Sequence, residues 1–139
     1  MALKPIGLLP ELIVSYNFPG VVLNSRLVIE LENTMNTERF KEFLSKLSAF
    51  TGIGINLYIS GDISNLLPNI IINIGRMIKY INFEGSHNSE EILQLISETS
   101  VSEVSISKPD FEILSKISKF TSKLQKLGIS GASISIRNY

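Results

Sequence analysis

Residues 78–131 read IKYINFEGSHNSEEILQLISETSVSEVSISKPDFEILSKISKFTSKLQKLGISG, and this stretch decides the fold. A short apolar segment, a polar turn and a longer amphipathic segment follow one another, and the same unit then begins again. Apolar and polar residues alternate in KYINF, SEVSIS and KLGIS, a period of two that is typical of strands with one buried face. In the segments between them, apolar residues recur every three or four positions, as in amphipathic helices. The stretch therefore predicts repeated strand–helix units.

The same unit continues toward the N-terminus, where residues 26–33 and 55–60 also alternate. The second inward residues of the five predicted strands are Leu31, Ile59, Phe83, Ile106 and Ile129. Their spacings are 28, 24, 23 and 23 residues, which are periods typical of solenoid repeats. The opening of the chain predicts two antiparallel strands, with residues 12–18 extended and a turn at Pro19-Gly20. Residues 132–139 predict a last strand, in a hairpin turned at Gly131-Ala132.

Helices are predicted between the strands. Asn36-Thr37 is the predicted N-cap of the first helix, Ser64 of the second and Ser89 of the third. Pro68 fits the second helix only within its first turn, because proline lacks the N–H group that the helix interior needs. The predicted buried faces of the first, third and fourth helices are Phe40, Phe43, Leu44 and Leu47; Ile92, Leu93 and Ile96; and Phe111, Leu114, Ile117 and Phe120.

The outward positions of the strands indicate how the helices are arranged. A parallel sheet with helices on both faces needs strands that are apolar nearly throughout, whereas these strands carry glutamate, tyrosine, serine and asparagine on one face. We therefore expect one α/β domain over residues 1–139, with residues 1–25 forming an N-terminal cap region. Residues 26–139 would form four or five strand–helix units, in a mostly parallel sheet with helices on one face. Sequential strand order would favour a solenoid, and a switch in order would favour a compact fold.

Three segments carry a family resemblance: IKYINFEGS, VSEVSISKPDF and LQKLGISGASI. They resemble the leucine-rich repeat family of the ribonuclease-inhibitor type, whose pattern is L-x-x-L-x-L-x-x-N/C-x-L. The resemblance covers roughly residues 26–134 and implies a curved solenoid that binds proteins on its sheet face. The chain departs from the pattern at the ninth position, where Ser86, Pro109 and Ala132 replace Asn or Cys, and in its use of isoleucine. The alternative is a compact regulatory α/β domain similar to the STAS type.

Composition excludes several classes of function. With 44% apolar and 19% charged residues, the 139-residue chain can bury a core, and its net charge of zero disfavours nucleic acid and anionic membranes as partners. There is no cysteine and one histidine, which excludes disulfides and thiolate or multi-histidine metal sites. No apolar stretch reaches the length of a membrane span, so we expect a cytoplasmic protein. We also expect no cofactor. Heavy use of isoleucine, serine, lysine and asparagine favours an AT-rich source, such as an archaeon or its virus.

The outward side chains of the strands are the first candidate site. They form an open sheet face, and we expect a non-enzymatic domain that binds another protein through this face. Self-association through edge strands is a further expectation. The predicted binding residues are Glu30, Glu32, Tyr58, Ser60, Tyr80, Asn82, Glu84, Glu103, Ser105 and Ser107.

The carboxyl ends of the strands are the second candidate site. Asp62, His87 and Asp110 follow successive strands, and ligands bind at this edge of open parallel sheets. A STAS-like domain would bind a partner or small ligand there, and a small hydrolase or nucleotide-binding enzyme would also use Glu84. Turn formation and helix capping explain the same residue types, because every strand-to-helix turn needs Ser, Gly, Asp or Pro.

Overall fold

The structure, a computed structural model, describes residues 20–23, 26–32, 37–50, 53–85, 87–107, 111–116, 126–129 and 134–137. Within these ranges the strands form one seven-stranded sheet, whose order is the order along the chain. The strands are β1 (Gly20–Leu23), β2 (Arg26–Leu31), β3 (Gly54–Ile59), β4 (Ile78–Phe83), β5 (Glu103–Ile106), β6 (Lys126–Ile129) and β7 (Ile134–Arg137). β1 pairs antiparallel with β2, and β6 with β7, while all the pairs between β2 and β6 are parallel.

The register of the sheet matches the alignment predicted from sequence spacing. Leu31 pairs with Ile59, Ile59 with Phe83, Phe83 with Ile106, and Ile106 with Ile129. The five aligned residues thus form one row across the sheet, and their predicted alignment is confirmed.

β4 contains one irregularity that the sequence pattern did not reveal. Ile55 pairs with Ile78, but the next residue, Asn56, pairs with Tyr80, so Lys79 is an additional residue in β4. An extra residue of this kind is a β-bulge, which resets the alternation of side chains. Ile78 and Ile81, three positions apart, are both fully buried as a result.

One hydrophobic core lies between the sheet and the helices. The helices are α1 (Thr37–Leu47), α2 (Leu67–Ile74), α3 (Ser89–Glu98) and α4 (Phe111–Lys116), with a 3₁₀ turn at Gly75–Met77. Their buried residues join the inward residues of the strands in a single cluster, so the helices lie on one face of the sheet. All four predicted core residues of α1 are buried. The fold is therefore α/β, with a mostly parallel sheet that begins with an antiparallel pair.

Two predicted helix starts are wrong. The N-cap of α2 is Leu66 rather than Ser64, and Pro68 lies at the start of the helix as expected. With Ser64 as the cap, Pro68 would occupy the fourth helical position, where its missing N–H group would cost a hydrogen bond. The N-cap of α3 is Asn88 rather than Ser89, because the Asn88 side chain accepts a hydrogen bond from the Glu90 N–H at 2.7 Å.

The remaining differences concern helix faces and the N-terminus. Leu95 is buried beside Ile92 and Ile96 in α3, whereas the predicted Leu93 is only partly buried. Ile113 is the buried residue of α4 among its described side chains, and the predicted α4 residues lie outside them. Gly20 belongs to β1 and pairs with Ile29, so it does not form the predicted turn. Two residues separate β1 from β2, the length of the shortest hairpin loops, and the strand predicted at residues 12–18 lies outside the described residues.

Candidate functional site

The sheet surface opposite the helices carries most of the side chains predicted to bind. We call this surface the open face, because no element among the described residues covers it. Strand pairing arranges its central side chains in two parallel rows. The first row is Val28, Asn56, Tyr80 and Glu103, and the second is Glu30, Tyr58, Asn82 and Ser105. Every member of both rows is half-buried or exposed.

Two tyrosines lie at the centre of the open face. The rings of Tyr58 and Tyr80, on neighbouring strands, have centroids 5.6 Å apart and are tilted by 44°. Burial raises the pKa of the Tyr80 phenol, and the hydrogen bond from Ser105 opposes that shift. The pair is thus an ordered aromatic patch whose rings are still accessible from the open face.

On β2 and β4 the charges of the open face are separated along the strand direction. Arg26, at the start of β2, donates a hydrogen bond from Nη1 to Asn56 Oδ1 at 3.0 Å. The Lys79 stem lies over Gly54 beside Arg26, since a Cβ atom at residue 54 would be 3.0 Å from Lys79 Cγ and 3.6 Å from Arg26 Cδ. The basic side chains therefore lie at the amino-terminal end of the strands.

Acidic side chains lie at the other end of β2 and β4, whereas Glu103 is acidic at the start of β5. Glu30 is near the end of β2, Glu32 follows that strand, and Glu84 follows β4; all three are exposed. Arg26 and Asn56 were missing from the predicted site, although the alternation extends to Arg26 by four positions from Glu30 and to Asn56 by two positions from Tyr58. No periodic signal could place Lys79 there, because the β-bulge brings it to this face.

Two of the predicted binding residues, Ser60 and Ser107, use their hydroxyl groups to hold strand ends together. Ser60 Oγ donates to the Leu31 carbonyl at 3.2 Å, and Ser107 Oγ donates to the Phe83 carbonyl at 3.1 Å. The Ser107 hydroxyl also accepts a hydrogen bond from the Gly85 N–H at 2.8 Å. These contacts give both serines a structural role at the margin of the open face.

The second predicted site is present as a cleft at the carboxyl ends of β3 and β4. Its volume is about 450 Å³. The structure brings the predicted Asp62 and His87 together there and adds Glu91 from α3, which sequence reasoning missed. Glu84 is not among the lining residues, and Asp110 lies outside the described residues. The lining residues are Ser60, Gly61, Asp62, Ser64, His87, Asn88 and Glu91.

Local hydrogen bonds engage the polar groups of the cleft. His87 Nε2 is 2.8 Å from the Glu84 carbonyl oxygen and 3.1 Å from that of Ile59. Carbonyl oxygens only accept, so Nε2 carries a proton and donates to both strand ends. Asp62 Oδ1 accepts a hydrogen bond from the Ser64 N–H at 3.0 Å, an arrangement typical of Asx-turns.

The electrostatics of the cleft follow from these contacts. Hydrogen bonds from the Ser64 N–H and the Ser64 hydroxyl lower the pKa of the Asp62 carboxyl; burial opposes this shift, and nearby His87 adds to it. Burial raises the pKa of Glu91, the negative charge of Asp62 raises it further, and His87 opposes the shift. Among the described residues no three His, Asp or Glu side chains are grouped to hold a metal ion. Nor is any helix in those ranges long and apolar enough to cross a membrane.

Comparison of the chain with protein-family models, curated proteins and solved structures finds no match. Two surfaces therefore carry the functional candidates: the open face with its tyrosine pair, and the strand-end cleft with Asp62, His87 and Glu91.

Proposed function

We propose that this chain is a non-enzymatic protein-interaction or scaffold domain that binds a partner protein through the open face. The observation that carries the proposal is the Tyr58–Tyr80 pair, held at 5.6 Å on a sheet face that no described element covers. Tyrosine is enriched at the centres of protein interfaces, because its ring gives a large contact area and its hydroxyl remains able to hydrogen-bond.

The architecture we propose is a short solenoid of strand–helix units that resembles leucine-rich repeats. The sequential strand order, the helices on one face and the single row formed by the aligned residues support this interpretation over a compact STAS-like domain. The hydroxyl groups of Ser60 and Ser107 each bond the last carbonyl of the preceding strand. Such contacts between neighbouring units fit an array in which each unit is stabilised by the next.

The polar residues of the strand-end cleft, unlike the tyrosines of the open face, are explained by structural roles. Its histidine donates to two backbone carbonyls and its aspartate caps a turn, so both residues have structural roles there. The open face has no comparable explanation for its tyrosines, since they contribute little to the core on the other side of the sheet. We therefore place the binding function on the open face.

The test is capture of partner proteins from a lysate of the source cells by the immobilised chain. The variant combines Tyr58→Ala, Asn82→Ala and Glu84→Lys, which alters the open face without touching a core residue. We expect mass spectrometry to show proteins that wild type retains and this variant loses, at unchanged circular dichroism. Lys46→Glu, on the exposed side of α1, is the control and should retain them. Retention of the same proteins by the triple variant would refute the proposal.

A further inference from the structure

We infer that the open face binds a second copy of this chain, with the strands of the two sheets running in opposite directions; the inference rests on the function proposed above. The inference is based on the charged side chains of β2 and β4. Arg26 and Lys79 lie at the amino-terminal ends of β2 and β4, while Glu32 and Glu84 follow the carboxyl ends of the same two strands. Each of these two strands therefore has a basic start and an acidic end.

Two-fold symmetry makes this pattern complementary to itself. A two-fold axis in the plane between two stacked sheets, perpendicular to the strands, lays β2 over β2 and β4 over β4 with reversed direction. Lys79 of each copy then faces Glu84 of the other, and Arg26 faces Glu32. Because the interface is isologous, each pairing occurs twice. The other in-plane axis, parallel to the strands, would place the basic ends together and is disfavoured.

The centre of the face suits the same arrangement. The axis passes between the row containing Tyr80 and the row containing Tyr58, so the tyrosines of both copies meet near the middle. The Arg26–Asn56 hydrogen bond orders the Arg26 guanidinium on the surface before association, and the Lys79 stem lies beside Arg26 over Gly54. Groups that are already ordered lose less conformational freedom on binding.

The area of the open face indicates how tightly two copies of the chain should associate. The five strands β1–β5 are about 4.8 Å apart, and the longest of them are about 20 Å long, so the face measures at most roughly 20 Å by 20 Å. Its area is below the roughly 800 Å² per partner of a standard interface, so the dimer should be weak and reversible. Charges at the rim of an interface are screened by ions, so added salt should weaken association.

The experiment is sedimentation velocity of the full chain over about a hundredfold range of concentration, because weak dimers appear only at the upper end. We expect the wild type to sediment faster as concentration rises. Lys79→Glu and Glu84→Lys should each weaken association by about tenfold or more, because each places two like-charged contacts in the dimer. Matched controls are Lys46→Glu and Glu98→Lys, on exposed helix positions, which should behave as wild type.

Mixing Lys79→Glu with Glu84→Lys is the most specific test of the proposed charge pairing. A heterodimer of Lys79→Glu with Glu84→Lys contains two opposite-charge pairs, so the mixture should associate where neither variant does alone. The double variant Lys79→Glu/Glu84→Lys should also associate, since its strands keep opposite charges at their two ends. The inference would be overturned if wild type associates but the mixture of the two single variants does not, or if Lys79→Glu and Glu84→Lys leave association unchanged. Either result would assign association to another surface.

A wild type that stays monomeric throughout the concentration range would likewise overturn it. The proposed function would then be judged separately, by whether the Tyr58, Asn82 and Glu84 substitutions still change the proteins captured. If those substitutions abolish capture of a different protein by a monomeric chain, the face binds a heterologous partner. If they change neither capture nor sedimentation, both proposals fail.

Discussion

His87→Ala is the change that best separates a structural from a ligand-binding role for the strand-end cleft. His87 Nε2 donates to carbonyls at the ends of β3 and β4, and its ring meets the Phe83 ring edge-on at a centroid distance of 5.6 Å. The side chain thus connects two neighbouring strands to the start of α3. If this role is correct, removing it will lower the free energy of unfolding.

The magnitude follows from the contacts. One N–H group shared between two carbonyls counts as roughly one hydrogen bond, about 0.5–1.5 kcal/mol. The Ile59 carbonyl keeps a second donor, the Glu84 N–H at 2.9 Å, so no unpaired acceptor is left at that strand end. The edge-on ring contact adds about 0.5–1.5 kcal/mol. We therefore expect a loss of about 1–3 kcal/mol, which for a chain of this length corresponds to roughly 3–5 °C in Tm per kcal/mol.

The assay is urea unfolding followed by circular dichroism, with Gln94→Ala on the exposed side of α3 as the control. Phe83→Leu and the double variant complete a cycle that isolates the His87–Phe83 contact, whose coupling energy should be about 0.5–1.5 kcal/mol. A His87→Ala variant within about 0.5 kcal/mol of wild type, the usual range for surface substitutions, would refute the structural role. His87 would then again be a candidate for binding a ligand in the cleft.

Two further predictions concern the same region. Asp62→Asn keeps an acceptor for the Ser64 N–H but removes the charge that raises the pKa of Glu91, so that pKa should fall, as measured by carboxyl ¹³C NMR titration. Because the pKa of Glu91 is raised in the folded state, the stability that protonated Glu91 contributes is lost as pH rises through that pKa. Asp62→Asn makes the shift smaller, so this variant should lose less stability than wild type as pH rises above the ordinary pKa of glutamate. An unchanged Glu91 titration would show that burial alone causes the shift. Asn88→Ala should lower the free energy of unfolding by about 1 kcal/mol through loss of the α3 cap, measured by urea unfolding, and Ser89→Ala should cost less. The reverse ranking would contradict the assignment of Asn88 as the cap.

Local patterns were sufficient to predict much of the fold. Alternation identified the inward residues of β2 to β5, and the spacing of Leu31, Ile59, Phe83 and Ile106 predicted their register. The buried residues of α1 were predicted correctly, because their apolar spacing matches one face of a helix. Helix starts were less predictable, since Ser, Asn and Asp compete as caps over neighbouring positions and only backbone geometry selects one.

The sites depended more on contacts between distant residues. Tyr58, Tyr80 and Asn82 could be assigned to one face by alternation alone. The meeting of Glu91 with Asp62 could not, because it depends on where α3 packs. The hydrogen bonds from His87 to Ile59, from Ser60 to Leu31 and from Ser107 to Phe83 join residues of different units, and no local pattern encodes such pairs.

The sequence by itself determined the strand–helix units, the residues that face the core and the polar character of the open face. These features depend on the periodicity of each segment, which is a local property of the chain. Only the tertiary structure decided that Lys79 joins Arg26 on the open face, because a β-bulge opposite β3 resets the alternation of β4. The pairing of β3 with β4 thus created the separation of charge along β4, since register is a property of two strands together.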